Sequence, residues 1–228
     1  MRKRAGRHVL ESLDSFTRLA TPRPLRPYQL EAGEAIIRSV LRKEGKTFTI
    51  MMARQSGKNE LAAQVEAYLL HVFARRGGQI VKAAPSYHPQ IVNSIIRLQE
   101  VLSTPYSSGR WLARHGHSIE LGSARIMFFS ASPTASVVGA TASLLLAIDE
   151  AQDVDPDMYW RSFRPMAATT RATTVLYGTA WDDDNLLERQ RCHNRERESA
   201  TGQRLNFEAP WVVLAALSQD YARFVAGE

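Results

Sequence analysis

Continuous apolar runs alternate with stretches of helical periodicity along most of this chain. Runs that are apolar at almost every position are typical of strands buried on both faces of a sheet. On this basis we predict strands at residues 47–53, 79–84, 119–121, 125–131, 143–149 and 173–180.

Between these runs, apolar residues recur at every third or fourth position. Tyr28, Ala32, Ile36 and Val40 predict one such amphipathic helix directly after Pro27. Further helices are predicted over 11–20, 61–72, 91–102 and 156–167. Strands that alternate with helices predict an α/β fold with a mostly parallel central sheet flanked by helices.

The pattern divides the chain into three parts. Residues 1–26 form an N-terminal arm that ends in the proline-rich stretch TPRPLRP. Residues 27–180 form the α/β core. Residues 181–228 are expected to form a helical or lid-like segment, which the pattern does not assign to the sheet.

Composition narrows the class of protein without identifying it. The chain has 228 residues, with 29 Lys and Arg against 23 Asp and Glu, and a formal net charge of +6. One cysteine, Cys192, excludes an internal disulfide and a multi-cysteine zinc site. No apolar stretch approaches the ~20 residues needed to span a bilayer, and no secretory signal follows the basic N-terminus. A basic charge balance permits a polyanionic partner and does not establish one.

The segment after the first predicted core strand resembles a phosphate-binding loop. Gly57 and Lys58 follow a buried strand and open a helix, which is where a P-loop places its backbone amides and its lysine. Two positions depart from the usual pattern: Met52 replaces the first glycine, and Asn59 replaces the hydroxyl residue that ligates Mg²⁺. Arg54 lies within the loop, where a guanidinium could bind a γ-phosphate.

A second acidic motif follows the strand predicted at 143–149. Asp149 and Glu150 stand at the carboxyl end of this strand, where open α/β sheets bind ligands. Asp149 suits a Walker B carboxylate that holds Mg²⁺, directly or through water. Glu150 suits the general base that polarises an attacking water.

Together these motifs resemble those of the ATPase domain of viral large terminases, the motors that pump DNA into procapsids. The resemblance covers about residues 28–180. It is carried by ARQSGKNE at 53–60, VVGAT at 137–141 and LLLAIDEAQ at 144–152, with support from RPYQ at 26–29, AAPSYHPQ at 83–90 and YGTA at 177–180. It implies a P-loop NTPase fold of the RecA/ASCE type.

The resemblance also implies roles for individual residues. Gln29 would recognise adenine, and Thr179 would belong to a coupling motif. Lys58, Arg54 and Glu150 would take part in catalysis, and Mg²⁺ with ATP would be the cofactor, held by Asp149 and Asn59. The nucleotide would be bound by Gln29, Arg54, Gln55, Ser56, Gly57, Lys58, Asn59 and Glu60.

The same resemblance implies a biological setting. The chain would couple ATP hydrolysis to translocation of double-stranded DNA, as a ring of identical subunits, together with the portal and procapsid and a small terminase subunit. It would act in the host cytoplasm, and no membrane partner is expected. The nuclease domain of large terminases would follow residue 228, so no nuclease activity is expected from this chain. An arginine that acts in trans in some terminases corresponds to Val138 here, so that role is not carried over.

Two alternatives stay open at the level of sequence. A superfamily 2 helicase also carries an Asp-Glu-Ala-Gln motif and an upstream glutamine, but only 49 residues follow Thr179, too few for a second RecA-like domain. A nucleotide-binding assembly module that does not hydrolyse ATP is suggested by Met52 and Asn59. Glu150 argues against such a module, because it would have no use for a base.

Overall fold

A computed structural model describes residues 8–133, 135, 137, 139–180 and 183–210. Within these residues the strands are β1 Thr47–Met52, β2 Gly78–Ala84, β3 Trp111–Arg114, β4 Ser118–Leu121, β5 Ala124–Ser130, β6 Leu145–Ile148, β7 Thr173–Gly178 and β8 Asn206–Ala209. The helices are α1 Leu13–Ala20, α2 Pro27–Leu41, α3 Lys58–Phe73, α4 Val92–Leu102, α5 Pro156–Met158, α6 Arg164–Ala168 and α7 Leu186–Thr201. Irregular helical turns at Tyr87–Ile91, Ala151–Asp153 and Tyr159–Phe163 precede or join these helices.

The strands form one eight-stranded sheet in the order β3-β4-β5-β2-β6-β7-β1-β8. β3 and β4 pair antiparallel with each other, and β4 pairs antiparallel with β5. The remaining neighbours are parallel. The predicted α/β class, with a mostly parallel sheet between helices, is therefore confirmed.

Helices cover both faces of the sheet, which is why the central strands are apolar at successive positions. Ile80, Leu145 and Val175 face a core shared with α1 to α4. Their neighbours along the strands face a second core, which includes Tyr159 and Phe163 from the segment after β6. This alternation fixes which strand residues lie beneath α3.

The order of the strands brings the predicted motifs together. β7 lies between β1 and β6, and all three strands run in the same direction. Their carboxyl ends therefore meet at one edge of the sheet. The residues that follow them are the phosphate-loop segment after Met52, the acidic pair after Ile148 and Thr179 after Gly178.

Two strands were not predicted from the sequence. β3 is short and mostly exposed, so its residues do not alternate between buried and exposed positions. β8 lies in the segment that the pattern leaves outside the sheet, and it pairs in parallel with β1 at the edge. The predicted helix over 156–167 is broken into α5, a π-helical turn and α6. The apolar stretch that begins at residue 211 lies outside the described residues.

No helix among the described residues combines the length and the hydropathy that a membrane span requires.

Candidate active site

The phosphate-loop segment closes tightly between β1 and α3. Ser56 turns back onto Ala53, its amide donating to the Ala53 carbonyl over 3.2 Å and its hydroxyl over 2.5 Å. Gln55 and Gly57 both adopt left-handed backbone conformations, with φ of 61° and 82°. A left-handed conformation is easy for glycine and costly for residues that carry a side chain. The loop therefore ends in a glycine because the first turn of α3 starts from a left-handed residue.

The start of α2 supports this loop from behind. The Gln29 side-chain amide donates to the Gly57 carbonyl over 2.9 Å and to the Ser56 carbonyl over 3.4 Å, and the Tyr28 hydroxyl donates to the Ser56 carbonyl over 2.6 Å. The Gln29 side-chain oxygen accepts from the Arg26 amide at 2.8 Å, which caps α2. Gln29 thus binds the loop through its nitrogen and the helix start through its oxygen. Its predicted contact with adenine stays a prediction.

Lys58 connects the three strand ends. Its Nζ donates to Thr179 Oγ1 over 2.9 Å and lies 3.3 Å from Glu150 Oε2. The lysine is buried, while Glu150 retains a partly exposed side chain. A single cation therefore contacts both the proposed base after β6 and the proposed coupling residue after β7.

Asp149 and Glu150 are held differently although they are adjacent. Asp149 is only 3% exposed; its Oδ2 accepts from the Ser94 hydroxyl of α4, and its Oδ1 accepts from the Glu150 amide. Glu150 has a φ of 46° and a ψ of 50°, a strained left-handed conformation for a residue with a side chain. The two carboxylates therefore point to different places, that of Asp149 towards Ser94 of α4 and that of Glu150 towards Lys58.

Gln152 is a site residue to which the sequence motifs gave no role. Its Nε2 donates to Glu150 Oε2 over 2.8 Å, and its Oε1 accepts from the Thr179 amide at 3.1 Å. A Cβ on Gly178 would overlap the Gln152 side chain, so the glycine before Thr179 allows this approach. The contact of Gln152 with Thr179 depends on the placement of β6 and β7 side by side, which no local motif signals.

All the predicted site residues line one cavity of about 870 Å³ at the carboxyl edge of the sheet. They are Gln29, Arg54, Gln55, Ser56, Gly57, Lys58, Asn59, Glu60, Asp149, Glu150 and Thr179. The cavity is also lined by residues to which the sequence analysis gave no individual role, namely Arg23, Pro24, Arg26, Ala53, Gln90, Asn93, Arg97, Gln152 and Asp153. Arg54 and Asn59 are exposed at this cavity, and Val138 lies outside the described residues.

Glu60 is engaged by its neighbours on the helical side of the cavity. Its Oε1 accepts from Gln64 Nε2 at 2.7 Å, and its Oε2 lies 3.5 Å from the Arg97 guanidinium of α4. Glu60 thus links α3 to α4, and its role in nucleotide binding stays a prediction.

The donor set at the cavity fits Mg²⁺ bound together with a nucleotide. No group of three or more His, Cys, Asp or Glu side chains suited to a metal occurs among the described residues. Mg²⁺ at phosphate sites takes one or two carboxylates and completes its octahedron with phosphate oxygens and water. Asp149 supplies such a carboxylate, and Asn59 supplies an amide oxygen elsewhere on the cavity wall.

Comparison with protein-family models and with curated proteins gives no match. Solved structures do match. The large terminase of bacteriophage HK97 superposes with a TM-score of 0.63 at 16% identity, over 90% of this chain and 43% of that one. An arginine-to-alanine variant of the Thermus phage P74-26 large terminase ATPase domain gives 0.54 at 19% identity, over 75% of this chain and 71% of that one.

The large terminase of a further thermophilic bacteriophage, solved in complex with ADP, gives a TM-score of 0.58 at 12% identity, over 82% of this chain and 45% of that one. This chain therefore has the P-loop fold of phage large terminase ATPase domains. It spans less than half the length of the HK97 terminase and of the ADP-bound terminase.

Proposed function

We propose that this chain is the ATP-hydrolysing motor domain of a DNA-packaging terminase large subunit. Two independent lines support the proposal. The fold is that of phage terminase ATPase domains. The loop, the acidic pair and Thr179, which sequence motifs alone single out, line the same cavity.

The observation that carries the proposal is the position of Lys58 between Glu150 and Thr179. A triphosphate cradled by the loop would bring its β- and γ-phosphates to the Lys58 ammonium. The phosphate oxygens would then compete with Glu150 for this cation. Glu150 would be released to accept a hydrogen bond from water. The contact between Lys58 and Thr179 would also change when nucleotide is bound.

The hydrolysis step uses residues that lie in reach of one another. Water attacks the γ-phosphorus while the bond from that phosphorus to the β,γ-bridging oxygen breaks, and Glu150 takes a proton from the water. The products are ADP and inorganic phosphate. Lys58 and Arg54 stabilise the charge on the transferred group. Asp149, with Asn59, would hold Mg²⁺, which when bound neutralises charge on the phosphate oxygens.

Gln152 connects the proposed base to the segment that follows β7. It contacts both the Glu150 carboxylate and the Thr179 amide, so a movement of Glu150 changes the contacts of the segment after β7. A motor needs such a connection between hydrolysis and an element that moves. We assign the coupling of hydrolysis to DNA movement to this Glu150–Gln152–Thr179 connection.

The proposed partners follow from the terminase assignment. They are double-stranded DNA, the portal and procapsid, a small terminase subunit and further copies of this chain in a ring, all in the host cytoplasm. Arginine fingers supplied by a neighbour can contribute ~10³–10⁵ in rate. We therefore expect weak ATP hydrolysis from the isolated domain and stronger hydrolysis in the assembled ring.

One experiment separates the proposal from its alternatives. ATP hydrolysis is measured alone, with linear duplex DNA, and with duplex DNA plus portal-bearing procapsids, alongside a duplex-unwinding assay. A terminase motor is stimulated most by the complete set and does not unwind duplexes. Strand separation would favour a helicase-like ATPase. Nucleotide binding without hydrolysis in every condition would favour an assembly module.

A further inference from the structure

A fully buried ion pair lies beneath the acidic end of β6. Lys82 of β2 donates to Glu66 of α3 over 2.9 Å, and each side chain is only 1% exposed. Burying two charges is costly, and replacing such a pair by apolar residues is often neutral or stabilising. The pair is therefore poorly explained by stability alone, and its surroundings suggest another role.

The pair shares a face of the sheet with Asp149. Lys82 is opposite Ala147 in the register of β2 and β6, and Asp149 is two residues further along the chain from Ala147. The Asp149 amide donates to the Ala83 carbonyl over 2.7 Å, which keeps the two segments together at this point. Tyr177 lies on the same face of β7, so the buried charges of α3 and β2 adjoin the carboxylate assigned to Mg²⁺.

The charges in this cluster affect one another. Burial lowers the pKa of Lys82, but the negative charges of Glu66 and Asp149 outweigh burial and leave that pKa raised. Burial, with the charges of Glu66 and Asp149, holds the pKa of Tyr177 well above its ordinary value. Among the described residues, Glu66 Oε2 and the Tyr177 hydroxyl have no hydrogen-bond partner. Lys82 is thus a cation whose charge interacts with both carboxylates, and its ammonium binds the one on α3.

We propose that Glu66 and Lys82 are positioning residues that set the charge at the Mg²⁺ site. Glu66 binds the Lys82 ammonium and offsets its charge, which leaves Asp149 available to a divalent cation. Without Glu66, Lys82 would be uncompensated beside Asp149 and would oppose Mg²⁺. This inference rests on the proposed nucleotide site and adds to it a buried determinant of the Mg²⁺ requirement.

The proposal predicts whether each of three variants needs more or less Mg²⁺ than the parent for nucleotide binding. Glu66→Gln leaves an unpaired cation near Asp149 and raises the Mg²⁺ concentration required for nucleotide binding. Lys82→Met removes that cation, and the buried Glu66 then takes a proton, so the requirement stays at or below that of the parent. The double variant has neither charge and returns the requirement to the parental range. For charges within about 10 Å of one another at an effective dielectric constant near 20, the Glu66→Gln shift is at least about tenfold.

The test measures binding of a fluorescent ADP analogue while Mg²⁺ is titrated, for the parent and the three variants of the full chain. Binding of the same analogue in EDTA and thermal unfolding are recorded for each. A purely structural role would weaken binding with and without Mg²⁺ to the same extent. The proposal predicts a higher Mg²⁺ midpoint for Glu66→Gln only, with binding in EDTA retained and with recovery in the double variant.

The proposal is overturned if folded Glu66→Gln has the parental Mg²⁺ midpoint, or if the double variant is as impaired as Glu66→Gln. If Glu66→Gln fails to fold, Lys82→Met and the double variant provide the test. A Mg²⁺ midpoint above that of the parent in either variant contradicts the proposal. A parent that binds no nucleotide at any Mg²⁺ concentration would refute the proposed function itself. A parent that binds normally while the variants show no shift would refute only this inference.

Discussion

Replacing Gln152 by alanine should slow ATP hydrolysis while leaving nucleotide binding largely intact. Gln152 donates to Glu150 over 2.8 Å and accepts from the Thr179 amide at 3.1 Å. A hydrogen bond to a charged group contributes about 1.5–3 kcal/mol. Because ~1.4 kcal/mol is a tenfold change in rate, loss of this contact should lower kcat about 10- to 100-fold. With ATP bound and Lys58 engaged by the phosphates, Glu150 would then lack the Gln152 contact that orients its carboxylate towards water.

The assay is steady-state ATP hydrolysis over a range of ATP concentrations, with Gln152→Ala compared to the parent. A fall in kcat with KM nearly unchanged is the signature of an interaction that acts in the transition state. Gln203→Ala is a matched control, because Gln203 is exposed in the loop between α7 and β8. A kcat for Gln152→Ala equal to that of the Gln203→Ala control would refute the role given to Gln152.

Three further predictions follow from individual contacts. Lys58→Ala should weaken Mg²⁺-ATP binding at least about tenfold in a fluorescent-nucleotide titration, because it removes a charge-assisted contact to phosphate; parental affinity would contradict the loop assignment. Gly57→Ala should weaken ATP binding more than Gly202→Ala, since both glycines are left-handed but only a Cβ at Gly57 overlaps Gln29; equal effects would show that the overlap is unimportant. Burial, assisted by the charge of Arg110, lowers the pKa of His71 to about 4. The unfolded chain therefore binds the extra proton first, and up to about 3 kcal/mol of stability should be lost as the pH falls from about 6.5 to about 4. His71→Gln should reduce this loss in chemical denaturation, and an unchanged pH profile would contradict the assignment.

The central sheet could be predicted from sequence because its strands are buried on both faces and carry long apolar runs. The edge strands could not. β3 is largely exposed, and β8 is four residues long and follows a highly charged helix. Neither carries the periodicity on which the prediction depends, and both owe their conformation to pairing with a neighbouring strand.

Site residues were predictable where a local motif carries them. Lys58 follows the loop after one buried strand, and the Asp149–Glu150 pair directly follows another. The structure places both motifs at the same cavity. The Gln152–Thr179 contact and the Glu66–Lys82 pair depend on which strands and helices become neighbours. In a sequence, a glutamate on a helix and a lysine in a strand resemble surface residues, and only the packing of α3 on β2 shows that they are buried together.

We propose that this chain hydrolyses ATP with Glu150 as the general base. The most direct measurement is single-turnover hydrolysis of bound ATP by the parent and by Glu150→Gln, with ATP affinity determined on the same samples. We predict similar ATP affinity and a hydrolysis rate about 10²–10⁴-fold lower in the variant, the usual loss on removing a positioned base. Parental turnover by Glu150→Gln would contradict this claim, since the base would then lie elsewhere.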